Sequence, residues 1–182
     1  MSALADGLLT INEFLALPDT DGKQEFDRGR VIVTPPPKSV HTLALKRIYD
    51  RLMVVLAGTN YTAYPEPGFL IAPDIIRQPD VAVMEKGKME QFKANDYPRG
   101  APLIAIEVAS PANSAEELDL QIDQYLRHGS QAVWVAYPRR QAVVRFALVN
   151  GRVQSIEYRS GEKLAEEIGT ERIELDPAEF FV

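Results

Sequence analysis

The 182-residue chain has no cysteine, which excludes disulfides, thiolate zinc sites and cysteine nucleophiles and leaves the redox compartment open. No run approaches the ~18 apolar residues of a membrane span, and residues 1–10 lack the basic start and apolar core of a signal peptide. There is no G-x-S-x-G elbow, Walker loop, G-x-G-x-x-G or H-E-x-x-H. No repeat, low-complexity tract or long Pro/Ser-rich linker divides the chain. The expectation is a soluble, cytoplasmic, single domain over 1–182, with 1–9 as a flexible tail.

What is present suits a globular domain with a sizeable core: 46% hydrophobic and 25% charged residues. Twenty basic residues against 26 acidic ones leave a net charge of −6, so the overall field repels a polyanion. Contact with nucleic acid therefore needs a local basic patch. Arg28, Arg30, Lys38, Lys46, Arg47 and Arg51 are candidates, although a solvated helix and hairpin would show the same residues.

Thr10 with Glu13 forms a T-x-x-E capping box that opens a short helix to about Leu17. After a turn over 19–22, residues 25–27 and 31–34 read as strands joined across Arg28-Gly29. Ser39 is the expected cap of a helix running to about Ala57, with Ala44, Ile48, Leu52, Val55 and Leu56 on its apolar face. Strands are predicted over 61–64, 69–71 and 80–84, followed by a polar, exposed excursion over 85–100. A strand over 103–108 is broken by Ser110-Pro111-Ala112-Asn113, and Ser114 with Glu117 caps a second helix ending near Gly129. Strands follow over 132–136, 143–148 and, through Asn150-Gly151, 152–158. The end, 175–182, is apolar enough to dock. Together these predict an α/β or α+β domain with a mixed sheet and its major helices on the sheet faces.

Glu107 stands out because Leu103, Ile104, Ile106 and Val108 form a strand of the kind covered on both faces, where an unpaired charge is costly. Asp80 opens another apolar strand, and two carboxylates on neighbouring strands suit magnesium or manganese. Spacing alone equally allows Asp80 as a strand cap and Glu107 as a salt-bridge partner. Glu25 is a possible third oxygen ligand, or an ordinary surface residue. His41, in a helix's first turn, offers an imidazole as donor or acceptor, and a structural role is the bland alternative. Gln121 lies on or beside the inward face of the helix after Glu107, where a polar group needs a partner. It is able to orient a water but carries no charge. His128, beside Gly129, is explained by C-capping.

In order along the chain, Q-E-F-D-R-G-R (24–30), P-P-K-S-V-H (36–41), R-Q-P-D-V-A-V (77–83), I-A-I-E-V-A-S-P-A-N-S (104–114), D-Q-Y-L-R-H-G (123–129) and V-W-V (133–135) resemble the restriction-endonuclease-like family abundant in cyanobacteria. That family belongs to the PD-(D/E)XK nuclease superfamily. The resemblance implies a restriction-endonuclease-like core, a mixed sheet flanked by helices, with a Mg²⁺ or Mn²⁺ site that hydrolyses DNA. It matches Asp80 to the aspartate of the PD motif, Glu107 to the acidic residue of the following strand, Glu25 to an acidic residue of the N-terminal hairpin, and His41 to the histidine of the next helix. The lysine displaced onto the later helix falls on Gln121. Lys38 and Lys46, near His41, are candidate substitutes. A homodimer would suit double-strand cleavage. The alternative is a catalytically inactive nuclease-fold protein that binds nucleic acid or a protein partner.

Overall fold

The computed structural model describes residues 7–18, 20–92, 96–110 and 114–181. Most of the expected tail and the Pro111–Asn113 break lie outside these residues. The Thr10/Glu13 box is formed and opens α1, Ile11–Leu15. The hairpin follows as β1, Lys23–Asp27, and β2, Arg30–Thr34. Arg28 and Gly29 both have positive φ, 47° and 92°, as a two-residue turn that matches strand twist requires.

The next helix, α2, spans Ser39–Val55. Its cap is not Ser39, contrary to expectation. Lys38 is the extended residue before the first turn, and no side chain caps it. After Pro35–Pro37 the chain turns helical one residue early, so Ser39 already lies inside. The apolar stripe behaves as its spacing predicts, with Ala44, Ile48, Leu52 and Leu56 buried and Val55 packed at the margin.

β3, Tyr61–Pro65, and β4, Phe69–Ala72, are followed by β5, Ile75–Arg77, and β6, Val81–Glu85. Asp80 stands one residue before β6 rather than inside it. The excursion after Glu85 is not wholly exposed: Pro98 is buried, and the backbone of Leu70 bonds to Pro98 and Gly100. β7, Ile104–Val108, leads to α3, Ala115–Arg127, which the Ser114/Glu117 box opens. The chain continues with β8, Ala132–Tyr137, β9, Ala142–Val149, and β10, Arg152–Arg159. It ends with a hairpin, β11, Leu164–Ile168, and β12, Glu171–Leu175, and the short α4, Ala178–Phe181. In α4, Phe180 is buried, so the apolar end does dock.

The central sheet has the order β10-β9-β8-β7-β6-β3 and is mixed, because β7 and β8 run parallel while the other pairs are antiparallel. A parallel pair needs a long crossover, and α3 supplies it. All five residues of β7 are buried because both its faces are covered. The face bearing Val81, Ile104, Ile106 and Trp134 shares a core with α2, and Ala105, Val133 and Val135 share one with Leu118, Ile122 and Tyr125 of α3. A second, antiparallel sheet, β2-β1-β5-β4, carries the N-terminal hairpin.

Gly22 fixes where that hairpin begins, since a Cβ on it would run into the backbone carbonyl of Thr34. Backbone cannot yield as a side-chain tip can. Gly22→Ala is therefore expected to cost about 1–3 kcal/mol and to displace Lys23. Urea melts read the first effect, and an unchanged midpoint would refute it.

Candidate functional site

Strand pairing brings the two acidic positions together. Val81 opposes Ile106 in the β6/β7 ladder, so Asp80, one step before Val81, meets Glu107, one step after Ile106. Each carboxylate has one oxygen tied to protein scaffold. Asp80 Oδ2 accepts from the Val108 N–H at 2.7 Å and lies 3.0 Å from His41 Nε2. A carboxylate only accepts, so this nitrogen carries the hydrogen. Glu107 Oε1 accepts from the Tyr125 hydroxyl at 3.0 Å.

The remaining oxygens converge on one cation. Lys23 Nζ is 3.3 Å from Asp80 Oδ1 and 3.6 Å from Glu107 Oε2. The side chains of Asp80 and Glu107 are each 7% exposed and that of Lys23 15%, so water screens them little. Burial works against the Lys23 ammonium, but Glu107, Asp80 and Glu25 outweigh it and hold its pKa well above the usual lysine range. Burial also works to raise Asp80, and Lys23, His41 and the Val108 N–H overcome it, leaving that carboxyl below its ordinary value. For Glu107 burial wins. Despite Lys23, desolvation together with the Asp80 and Glu25 charges pushes it up to about 8.

Glu25 sits on the same cleft but is engaged on both oxygens. Oε1 accepts from the Gln78 N–H at 2.7 Å, and Oε2 from Arg77 at 3.1 Å and from Gln121 Nε2 at 3.2 Å. Gln121 thus points at Glu25, and no bond joins it to Asp80 or Glu107. Behind them the buried Arg77 also bonds Asp27 and Gln124. Lys46 turns away from the site to pair with Asp50, and Lys38 lines the cleft wall. Two further members of the suggested basic patch are spoken for or set apart: Arg51 pairs with Glu179, and Arg28 forms the hairpin turn.

The cleft holds about 1110 Å³. Lys23, Glu25, His41, Asp80, Glu107 and Gln121 line it together with Lys38, Tyr137, Arg139 and Arg140. Sequence reasoning missed Lys23. A strand's period of two puts Lys23, Glu25 and Asp27 on one face, so attention to Glu25 carries over to Lys23 once the strand is extended by two residues.

Among the described residues no cluster of three or more His, Cys, Asp or Glu side chains is placed to hold a metal ion. The donor set is instead two neighbouring carboxylates, whose Oδ1 and Oε2 oxygens face the Lys23 ammonium. That fits magnesium or manganese, which take one or two carboxylates and complete their shell with water and substrate oxygens.

The mixed sheet between helices, with paired acids lining a cleft, shares its fold with a nuclease-like structure. The chain belongs to the Uma2 family, whose description is "Putative restriction endonuclease" and whose model matches residues 11–178. Among solved structures, a "putative nuclease belonging to DUF820" from Anabaena variabilis ATCC 29413 is similar in fold, with a TM-score of 0.77 at 22% identity over 95% of this chain and 97% of that one. No curated protein matches. Among the described residues no helix is long and apolar enough to cross a membrane.

Proposed function

We propose that this protein is a Mg²⁺- or Mn²⁺-dependent endonuclease that hydrolyses phosphodiester bonds in DNA, with Asp80 and Glu107 holding the metal. The observation that carries this reading is the pair of buried carboxylates, Asp80 and Glu107, brought together by adjacent strands inside a cleft, in a chain of a nuclease-like family. When bound, the metal lowers the pKa of its water and offsets charge on the scissile phosphate.

The protein's own residues prepare that site. Val108 and His41 fix the Asp80 carboxylate, and Tyr125 fixes that of Glu107. Glu25, held by Arg77, sets the hairpin strand and Gln121 against the site, and adds negative field near the cation. Lys38 and Arg139 on the cleft wall supply positive charge for flanking phosphates, which position a nucleic acid without reading its bases. In the reaction a water oxygen bonds to phosphorus and the bond from phosphorus to one sugar oxygen breaks. The water sheds one proton, and the leaving oxygen takes one up.

Supercoiled plasmid incubated with Mg²⁺ or Mn²⁺ tests this. Wild type is expected to nick it, and Asp80→Asn to nick about 10²-fold more slowly or not at all, since even partners that only orient a metal ligand are worth 10–100-fold. Nicking that is indifferent to Asp80→Asn and to chelator would defeat the reading. One observation favours a second reading, that of a nuclease fold which binds nucleic acid without turnover: Gln121 carries no charge and is bonded to Glu25. Wild type that binds DNA and Mn²⁺ but never cuts would support it.

A further inference from the structure

We infer that Lys23, delivered by the first strand of the hairpin, is the catalytic ammonium of this site and takes the place that Gln121 leaves without charge. The inference rests on the hydrolase reading above. Phosphodiester hydrolysis gathers negative charge on the non-bridging oxygens as the water oxygen joins phosphorus, so a fixed cation beside the reacting atoms favours the transition state over the ground state. Gln121 has no charge to offer, and it is committed to Glu25 at 3.2 Å. Lys23 has the charge and the position. Its nitrogen lies 3.3 Å from Asp80 Oδ1 and 3.6 Å from Glu107 Oε2, and its side chain lines the cleft.

The donor count leaves the ammonium able to act. It has three N–H groups, one is used on Asp80, and Glu107 Oε2 at 3.6 Å lies beyond hydrogen-bond distance. At least one N–H remains for the attacking water or a phosphate oxygen. Lys23 keeps all its protons throughout. It donates hydrogen bonds and charge, while the water proton and the proton gained by the leaving oxygen exchange with solvent. Two structural features hold the strand in place: Gly22 packs on the Thr34 carbonyl, and Glu25, two residues along the same face, is locked by buried Arg77. A lysine with no task beyond neutralising Asp80 and Glu107 would fit the same distances. The experiment must separate the two roles.

The test uses wild type, Lys23→Met and the exchange Lys23→Gln with Gln121→Lys, read by plasmid nicking with Mn²⁺ and by calorimetric titration with Mn²⁺ alone. Lys23→Met is expected to cut about 10²-fold more slowly while binding Mn²⁺ more tightly than wild type, because a like charge beside both ligands is gone. The exchange variant is expected to cut within about tenfold of wild type, since it returns an ammonium to the same cleft from α3. Tighter Mn²⁺ binding by Lys23→Met with unchanged or faster cutting would make Lys23 a competing counter-ion and overturn the inference. If Lys23→Met does not fold by circular dichroism, Lys23→Gln alone and the exchange variant decide: cutting lost in the first and restored in the second supports the inference, and equal cutting by both, or Mn²⁺ binding without cutting by both, overturns it. A wild type silent with every metal removes the hydrolase reading and this one together. Equal cutting by wild type and Lys23→Met removes this one alone.

Discussion

Exchanging Glu107 for glutamine is expected to give a protein that is more stable than wild type when metal-free and that no longer cuts DNA. The side chain is 7% exposed in the central strand of the sheet, and burial, joined by the Asp80 and Glu25 charges, pushes its pKa up from 4.5 to about 8. The folded protein therefore holds a proton there that the unfolded chain releases near 4.5. Protons bound in excess by the folded state make stability fall as pH rises. From Glu107 that loss begins near 4.5 and is complete above about 8. Glutamine keeps an oxygen for the Tyr125 hydroxyl and has nothing to ionise, so its advantage should open across the same window, reaching on the order of a few kcal/mol. Asp80 works the other way. Its folded pKa lies below 3.8, so it stabilises above that value and the gain is lost as pH falls through the folded pKa. Melts of the metal-free proteins at pH 5 and pH 8, with plasmid nicking at pH 8, check both halves. A melting gap that does not widen with pH, or a variant that still cuts, would refute the account.

The same ionisation links metal to pH. Metal ligands must shed their protons, so binding releases them. Mn²⁺ affinity is expected to rise from pH 6 to pH 8 and level off above, where Glu107 is already ionised. Calorimetry in buffers of different ionisation enthalpy would count the released proton, and a flat affinity over that range would contradict the direction of the Glu107 shift.

Glu107 was legible because its signal is local: a charge inside an apolar run of strand length needs a reason wherever the strand packs. Asp80 beside Val81 gave the same kind of signal, and the helices declared themselves through capping boxes and apolar stripes. Lys23 was not legible. In D-G-K-Q it looks like a turn residue, and its partner Asp80 lies 57 residues further on, so only the meeting of the two sheets gives it a task. β5 escaped notice because three residues are too few for periodicity to show. The β11/β12 hairpin hid behind Glu166, which points inward between Leu164 and Ile168. There it meets Arg145 and the Trp134 indole N–H at 2.6 and 3.2 Å. A buried ion pair breaks the alternation that marks a strand, and the cation that explains it lies 21 residues away. Local chemistry is visible in one window of sequence, whereas pairing across the fold is visible only once topology is known.

The largest loss of stability is expected from Arg77→Met. Arg77 is 1% exposed and donates to Gln124 at 2.7 Å, Glu25 at 3.1 Å and Asp27 at 3.0 Å. Gln124 in turn donates to Asp27, which ties α3 to the hairpin. Methionine fills much of the space but leaves Glu25 buried without its cation and Asp27 without an ion-pair partner. Removing one partner of a buried pair in this way costs about 3–5 kcal/mol, although a fully apolar replacement of the whole network need not. The double variant Arg77→Met with Glu25→Gln should therefore recover part of the loss, which a simple cavity at Arg77 would not do. Urea denaturation of the three proteins measures both quantities, and a single-variant loss under about 1 kcal/mol would mean that water reaches the network and screens it. The same break should loosen the strand that carries Lys23, so nicking by Arg77→Met should fall even at temperatures where the protein remains folded. A site assembled from two sheets is only as well placed as the buried charge network that joins them.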